Sequence, residues 1–194
     1  MSRRPRVIIE GYPHHIVHRG HNRQDIFRSD GDRNIFLNML SHKLALSECR
    51  LMAYCLMQNH VHLMIMPSDR ESLIKCMHKL ALSYAMYFNA TADRRGALWE
   101  SRYFSSPITD DKYLWRAAKY ICLNPVRAGI VGNPCEYKWS SAADLINGID
   151  GPIRIHGWIE EAHRADFREL VLDELEETRI NYLLQRGLPY GPPV

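Results

Sequence analysis

No apolar run in this 194-residue chain approaches the roughly 20 residues a membrane-spanning helix needs. The opening MSRRPRVIIEGYP is basic but lacks an apolar stretch long enough for a secretory signal. The expectation is a cytoplasmic protein with no membrane partner. Cysteine is sparse and unpatterned. Cys49, Cys55, Cys76, Cys122 and Cys135 form no CxxC pair, and their number is odd. This argues against a disulfide framework or a cysteine zinc site and for reduced, mostly buried thiols. There is no glycine-rich phosphate loop, no internal repeat and no low-complexity linker.

What is present suits a globular domain. Apolar residues make up 46% and charged residues 24% of the chain, both ordinary values. The net charge of +3 conceals an asymmetry. Residues 1–139 carry 20 Lys+Arg against 12 Asp+Glu, and residues 140–194 carry 5 against 10. A basic body suits a polyanionic partner such as nucleic acid.

Periodicity then divides the chain. YPHHIVHRG (12–20) alternates His14, Ile16 and His18 with His15, Val17 and Arg19, as a strand does. A polar loop follows, with Ser29 and Asp30 as candidate helix caps. An amphipathic helix runs from Asp32 to about Glu48. RLMAYCLM (50–57) and HVHLMIMP (60–67) read as strands joined by a hairpin turn at Gln58-Asn59. Ser72 to about Ala92 is a helix with Leu73, Met77, Leu80, Tyr84 and Phe88 along one stripe. WESRYFSSPI (99–108) reads as a fourth strand. A helix from Asp110 and Asp111 is expected to stop near Asn124, ahead of Pro125. Residues 133–145 read as a loop and short helix. Asp166–Gln185 reads as an acidic helix, and the final RGLPYGPPV as extended or disordered. The order of elements predicts an α+β fold: a ferredoxin-like antiparallel sheet with packed helices, plus a small C-terminal helical extension.

Two places in this frame carry chemistry. His60 and His62 lie two apart on a strand, so they share a face with Cα atoms roughly 6.8 Å apart. Such a pair either holds one divalent ion or occupies a half-polar sheet face. Tyr120 and Asn124 are i and i+4 on the later helix and share one of its faces. Tyr120 is either a boundary tyrosine with its hydroxyl in water or a nucleophile. The second role needs a nearby cation, because a free phenol ionises only near pH 10.

At these residues the chain resembles a known family. MQNHVHLMI (57–65) looks like the HUH motif, and YICLN (120–124) like the YxxxN form of its partner motif. NPVRAGIV (124–131) is similar to a segment of REP-associated tyrosine transposases, which are single-tyrosine HUH transposases. HIVHRGHNRQDIF (15–27), AYCLMQNHVHLMI (53–65) and LWESRYFSSPI (98–108) fit that family in order and spacing. The resemblance covers about residues 1–140. It implies an HUH endonuclease fold, with a catalytic domain over 1–131 and a partly helical, acidic extension over 132–194.

The resemblance also implies an activity: metal-dependent nicking and strand transfer on hairpin-containing single-stranded DNA, through a 5′-phosphotyrosine intermediate. Carried over, Tyr120 is the nucleophile. His60 and His62 are metal ligands, with Asn124 as a third. The cofactor is Mg²⁺ or Mn²⁺. That choice rests on the family, because histidine nitrogen by itself favours zinc and the later transition metals. Candidate DNA contacts are Arg19 and Arg23 after the first strand, Arg94 and Arg95 in the basic loop, Arg102 on the fourth strand, and Lys119 and Arg127 beside the tyrosine. Trp99, Tyr103 and Trp139 are candidates for base stacking, with Trp99 and Tyr103 expected in the core. His18 is a candidate for the face that carries the histidine pair. The self-association state, monomer or dimer, is open, and so is whether the tyrosine serves its own chain or a partner. Two other readings compete: a domesticated DNA-hairpin-binding protein that does not cleave in the cell, and a metal hydrolase that uses HxH without the tyrosine.

Overall fold

Alternation in HHIVHR produces β1, His14–Arg19, with His14, Ile16 and His18 buried on one face. The computed structural model describes residues 7–185; RGLPYGPPV at the end, read as extended or disordered, lies outside the described residues. After β1 come α1 (Asp30–Leu46), β2 (Arg50–Met57), β3 (His60–Met66), α2 (Arg70–Thr91), β4 (Phe104–Pro107), α3 (Asp111–Arg127), α4 (Ala142–Asn147) and α5 (Arg164–Gln185). The sheet order is β2-β3-β1-β4, and every neighbouring pair is antiparallel. This is the ferredoxin-like arrangement expected from the sequence.

The helices begin where short polar side chains satisfy their free N–H groups. Ser29 Oγ accepts from Asp32 N at 3.2 Å, Asp69 from Ser72 N at 2.9 Å, and Asp110 from Lys112 N at 2.8 Å. On α2 the predicted stripe of Leu73, Met77, Leu80, Tyr84 and Phe88 is buried. Each such side chain contributes about 1.5–3 kcal/mol relative to its exposed state.

The structure corrects three local readings. The helix α3 does not stop before Pro125 but continues to Arg127. Proline here loses the bond its missing N–H would have made to Ile121 O and crowds that carbonyl, but only two further residues follow it in the helix, and Pro125 and Val126 are buried. The stop comes at Gly129, whose φ of +70° is open to glycine at no steric cost. The fourth strand spans only 104–107 rather than 99–108. Trp99 makes an isolated bridge with Gly20, and its indole N–H is drawn to Ala81 O of α2 at 2.9 Å. The chain therefore leaves the sheet and rejoins it at Phe104. The side chain of His18 points away from the histidine pair, stacked on Trp99 with centroids 3.9 Å apart.

The extension seals the open edge of β2. Leu56 N donates to Trp139 O at 2.9 Å, Ser141 N to Tyr54 O at 3.0 Å and His156 N to Leu51 O at 2.6 Å. Side chains add to this: Tyr54 N donates to Ser141 Oγ at 2.9 Å and Tyr137 OH to Leu56 O at 2.7 Å. An edge strand with its backbone groups unpaired would invite pairing with other chains. Trp139, Ala142 and Leu145 join the same core as the sheet. The acidic helix α5 rests on α3 through Phe167 against Trp115. Trp115 lies about 140° around α3 from Tyr120.

Ser141→Ala should leave the buried Tyr54 N–H without its acceptor. The expected loss is about 1–3 kcal/mol, read as a lower urea midpoint with an unchanged slope.

Candidate active site

Strand register decides which side chains meet. β1 pairs with β3 so that Arg19 faces His60, Val17 faces His62 and His15 faces Met64. Directly paired residues share a face, so His15, Val17, Arg19, His60 and His62 all lie on one side of the sheet. The helix α3 lies on that side and brings Tyr120 to the histidines. Ring centroids are 5.5 Å apart for His62 and Tyr120, 5.9 Å for His15 and Tyr120, and 4.9 Å for His60 and His62. Tyr120 and both histidines of this cluster belong to the same chain. Tyr120 remains 42% exposed, whereas His62 is 3% exposed.

The hairpin tip is strapped into place. Gly20 N donates to Asn59 O at 2.8 Å and Ile26 N to Gln58 O at 2.9 Å. Gly20 is required here, because any side chain would collide with the Gln24 carbonyl. Asn59 Nδ2 donates to Arg23 O at 3.2 Å, and Asn59 Oδ1 lies 2.6 Å from His60 Nδ1. The loop HNRQDIF thus holds the residue that orients His60. Arg23 contributes its backbone to this strap at φ +57°.

Burial governs the imidazoles. Desolvation, with Arg19 nearby, pushes His60 down to about 4. Desolvation, then His60, His15 and Arg19, pushes His62 down to about 3. Burial also lowers His15. The rings are therefore neutral at pH 7, the form in which histidine binds a metal. His62 Nε2 is buried and has no hydrogen-bond partner, as a ligand nitrogen awaiting a cation would be. The residues fit a divalent ion in this respect. Among the described residues, however, no group of three or more His, Cys, Asp or Glu side chains is arranged to hold a metal. The remaining donors would have to be an amide, a phenol, a phosphate or water. Asn124 is half-buried, and its Nδ2 donates back along the helix to Tyr120 O at 2.8 Å.

The family model described as "Transposase IS200 like" matches residues 9–124. The chain belongs to the IS200-like transposase family. Among solved structures it is similar to one of a REP-associated tyrosine transposase bound to a REP hairpin. That likeness has a TM-score of 0.55 and 17% identity, over 82% of this chain and 94% of that one, and it is a likeness of fold. A putative transposase from Deinococcus radiodurans R1 has a TM-score of 0.42 and 16% identity, over 62% of this chain and 95% of that one. No protein of curated function matches the chain in sequence.

On this transposase-family fold the candidate DNA residues separate into groups. Arg19 is exposed on the histidine face. The Arg127 guanidinium sits 4.7 Å over the Tyr120 ring. Lys119 is half-buried next to Tyr120. Arg95 and Arg102 are exposed. Arg94 is engaged within the protein: it donates to Gln24 Oε1 at 2.8 Å and to Ala97 O at 3.1 Å. Tyr103 and Trp139 are buried at 7% exposure each, and Trp99 is half-buried against the core. One face of Trp99 is taken up by His18, and Tyr103 and Trp139 lie in the core. No helix among the described residues is long and apolar enough to cross a membrane.

Sequence reasoning passed over two residues. One is His15, which the alternation of β1 marks only as a strand position, yet its Nε2 lies 3.0 Å from His62 Nδ1. The parity it shares with Arg19 was the available signal, but reading it needs the pairing of β1 with β3. Phe104 is 62% exposed and stands opposite Val17, in the same cross-strand row as His62.

The low pKa values predict how the metal-free protein responds to acid. His60 and His62 are held below the ordinary value of 6.5, so between pH 6.5 and about 4 the unfolded chain binds more protons than the folded one. Stability should fall as pH drops through that window. A His60→Asn/His62→Asn double variant should show a shallower decline in urea midpoint over the same range.

Proposed function

We infer that this chain nicks and rejoins single-stranded DNA bearing a hairpin, with Tyr120 as the nucleophile and a 5′-phosphotyrosine intermediate. The observation that carries this reading is Tyr120 of α3 lying against His62 and His15 on the face that also bears His60. Membership of the IS200-like transposases supports it independently. A solved protein of the same fold is bound to a REP hairpin, which supports hairpin DNA as the substrate class.

In this reading His60 and His62 hold a divalent cation, Mg²⁺ or Mn²⁺, with Asn124 as a further donor. When bound, such an ion polarises the scissile phosphate and offsets the charge that builds on it. The protein supplies position. The Tyr120 oxygen gives up its proton and attacks phosphorus, forming a P–O bond. The bond to the 3′ oxygen breaks, and that oxygen leaves as a 3′-OH, taking up a proton that balances the one the phenol releases. Attack by a 3′-OH on the phosphotyrosine reverses these changes and frees the Tyr120 hydroxyl. Bond energy is conserved throughout, so no nucleotide cofactor is needed.

In this reading Arg127, whose guanidinium lies over the Tyr120 ring, meets a phosphate of the same strand, and Arg19, paired with His60, meets another. Arg23, Arg95, Arg102 and Lys119 supply further positive charge along the strand. Phe104 offers an unpaired base a stacking face two strands away from His62.

With Mn²⁺ and labelled hairpin DNA, the wild type should give an SDS-resistant slow band on a denaturing gel. Tyr120→Phe and His60→Ala should both abolish it. A band that persists in Tyr120→Phe removes Tyr120 as nucleophile. Tight binding without a band in any lane favours the hairpin-binding reading. Arg127→Ala should weaken binding and lower the slope of log affinity against log salt by about 1.

A further inference from the structure

His15 has no task in the chemistry above, yet its ring lies edge to edge with His62, centroids 5.3 Å apart and planes 19° apart. Its Nε2 is 3.0 Å from His62 Nδ1. Between two neutral rings, one nitrogen must donate and the other accept, and the choice fixes the proton on His62.

His60 shows how the neighbouring ligand is held. The Arg23 carbonyl accepts from Asn59 Nδ2, which turns Asn59 Oδ1 towards His60 Nδ1. An amide oxygen only accepts, so the His60 proton sits on Nδ1 and Nε2 keeps its lone pair. At His62 the far nitrogen, Nε2, is buried without a partner. If His15 donated, His62 would carry its proton on that nitrogen, as a buried N–H with nothing to accept it and no lone pair to offer. If His62 donates, Nε2 has the lone pair, and a bound cation satisfies it.

We propose that His15 is a positioning residue, accepting the His62 Nδ1–H at its own Nε2 and holding His62 in the tautomer whose Nε2 can ligate a divalent cation. The proposal rests on the reading of His60 and His62 as cation ligands. It pairs β1 with β3 in function as well as structure: Asn59 orients one ligand from the hairpin tip, and His15 orients the other from the next strand. Such outer partners fix ring orientation and raise ligand basicity.

The first measurement is the nitrogen-15 NMR spectrum of the metal-free protein, which reports the protonated nitrogen of each imidazole without metal or DNA. His62 should be protonated on Nδ1. Co²⁺ titration, followed by its visible absorption, then compares two variants. His15→Phe keeps an aromatic ring but loses the acceptor, and should weaken Co²⁺ binding about 10–100-fold. His15→Gln loses the ring but keeps an accepting oxygen, and should recover most of that loss. A wild-type His62 protonated on Nε2 overturns the proposal, and so does His15→Phe binding Co²⁺ as the wild type does. A wild type that binds no Co²⁺ overturns the ligand reading and this proposal together. Failure of the DNA gel with the tautomer and Co²⁺ results intact overturns only the cleavage chemistry.

Discussion

The register between β1 and β3 is the constraint on which the rest depends. It sets Val17 opposite His62 and Arg19 opposite His60. Side chains alternate with period two, so a slip of one residue would move His15 and Arg19 to the face opposite α3 and bring His14 and His18 onto the face of the histidine pair. Burial makes that slip costly. Ile16 and His14 are fully buried on the opposite face, and His18 is held there by Trp99 and by the Ser101 carbonyl at 3.0 Å. The core and the site therefore demand the same register from opposite sides of one strand.

The second requirement is that α3 lie at a fixed height over that face. Ala118, Ile121 and Cys122 are fully buried, which seats the helix and leaves Tyr120 at its rim. The extension supports this from behind. Phe167 on α5 packs edge-on against Trp115, and Tyr137, Trp139, Ser141, His156 and Trp158 hydrogen-bond along β2. The acidic helix thus buttresses α3 from the side away from Tyr120.

Much of this was legible in the sequence. The alternation of HHIVHR, the QN turn and the stripe on α2 are local signals, and each element formed where its pattern stood. The HxH pair and Tyr120 were visible as motifs because spacing alone puts them on one strand face and one helix. What stayed hidden depends on contacts distant in the chain. The role of His15 follows from a neighbour 47 residues away, and nothing local distinguishes it from His14. The shortening of β4 follows from an indole reaching α2, and the survival of α3 past Pro125 from where in the helix the proline falls. The strap of residues 20–27 over the hairpin tip is likewise a tertiary fact, although Gly20 marked its start.

The site carries a cost that the rest of the fold must offset. Three imidazoles share a desolvated corner, and burial drives the charged form out of each. One buried nitrogen, His62 Nε2, has no partner at all. A core built only for stability would place apolar side chains at these positions, as it does at Leu63 and Ile65 on the same strand. Such a conflict between local polarity and global burial, gathered in one corner of the sheet beside Tyr120, marks a candidate functional site. The two imidazoles of β3 are each tied by a hydrogen bond at Nδ1. Such ties cost side-chain freedom and are of little use to a core, but they are what an atom needs if it must meet a ligand at a fixed point.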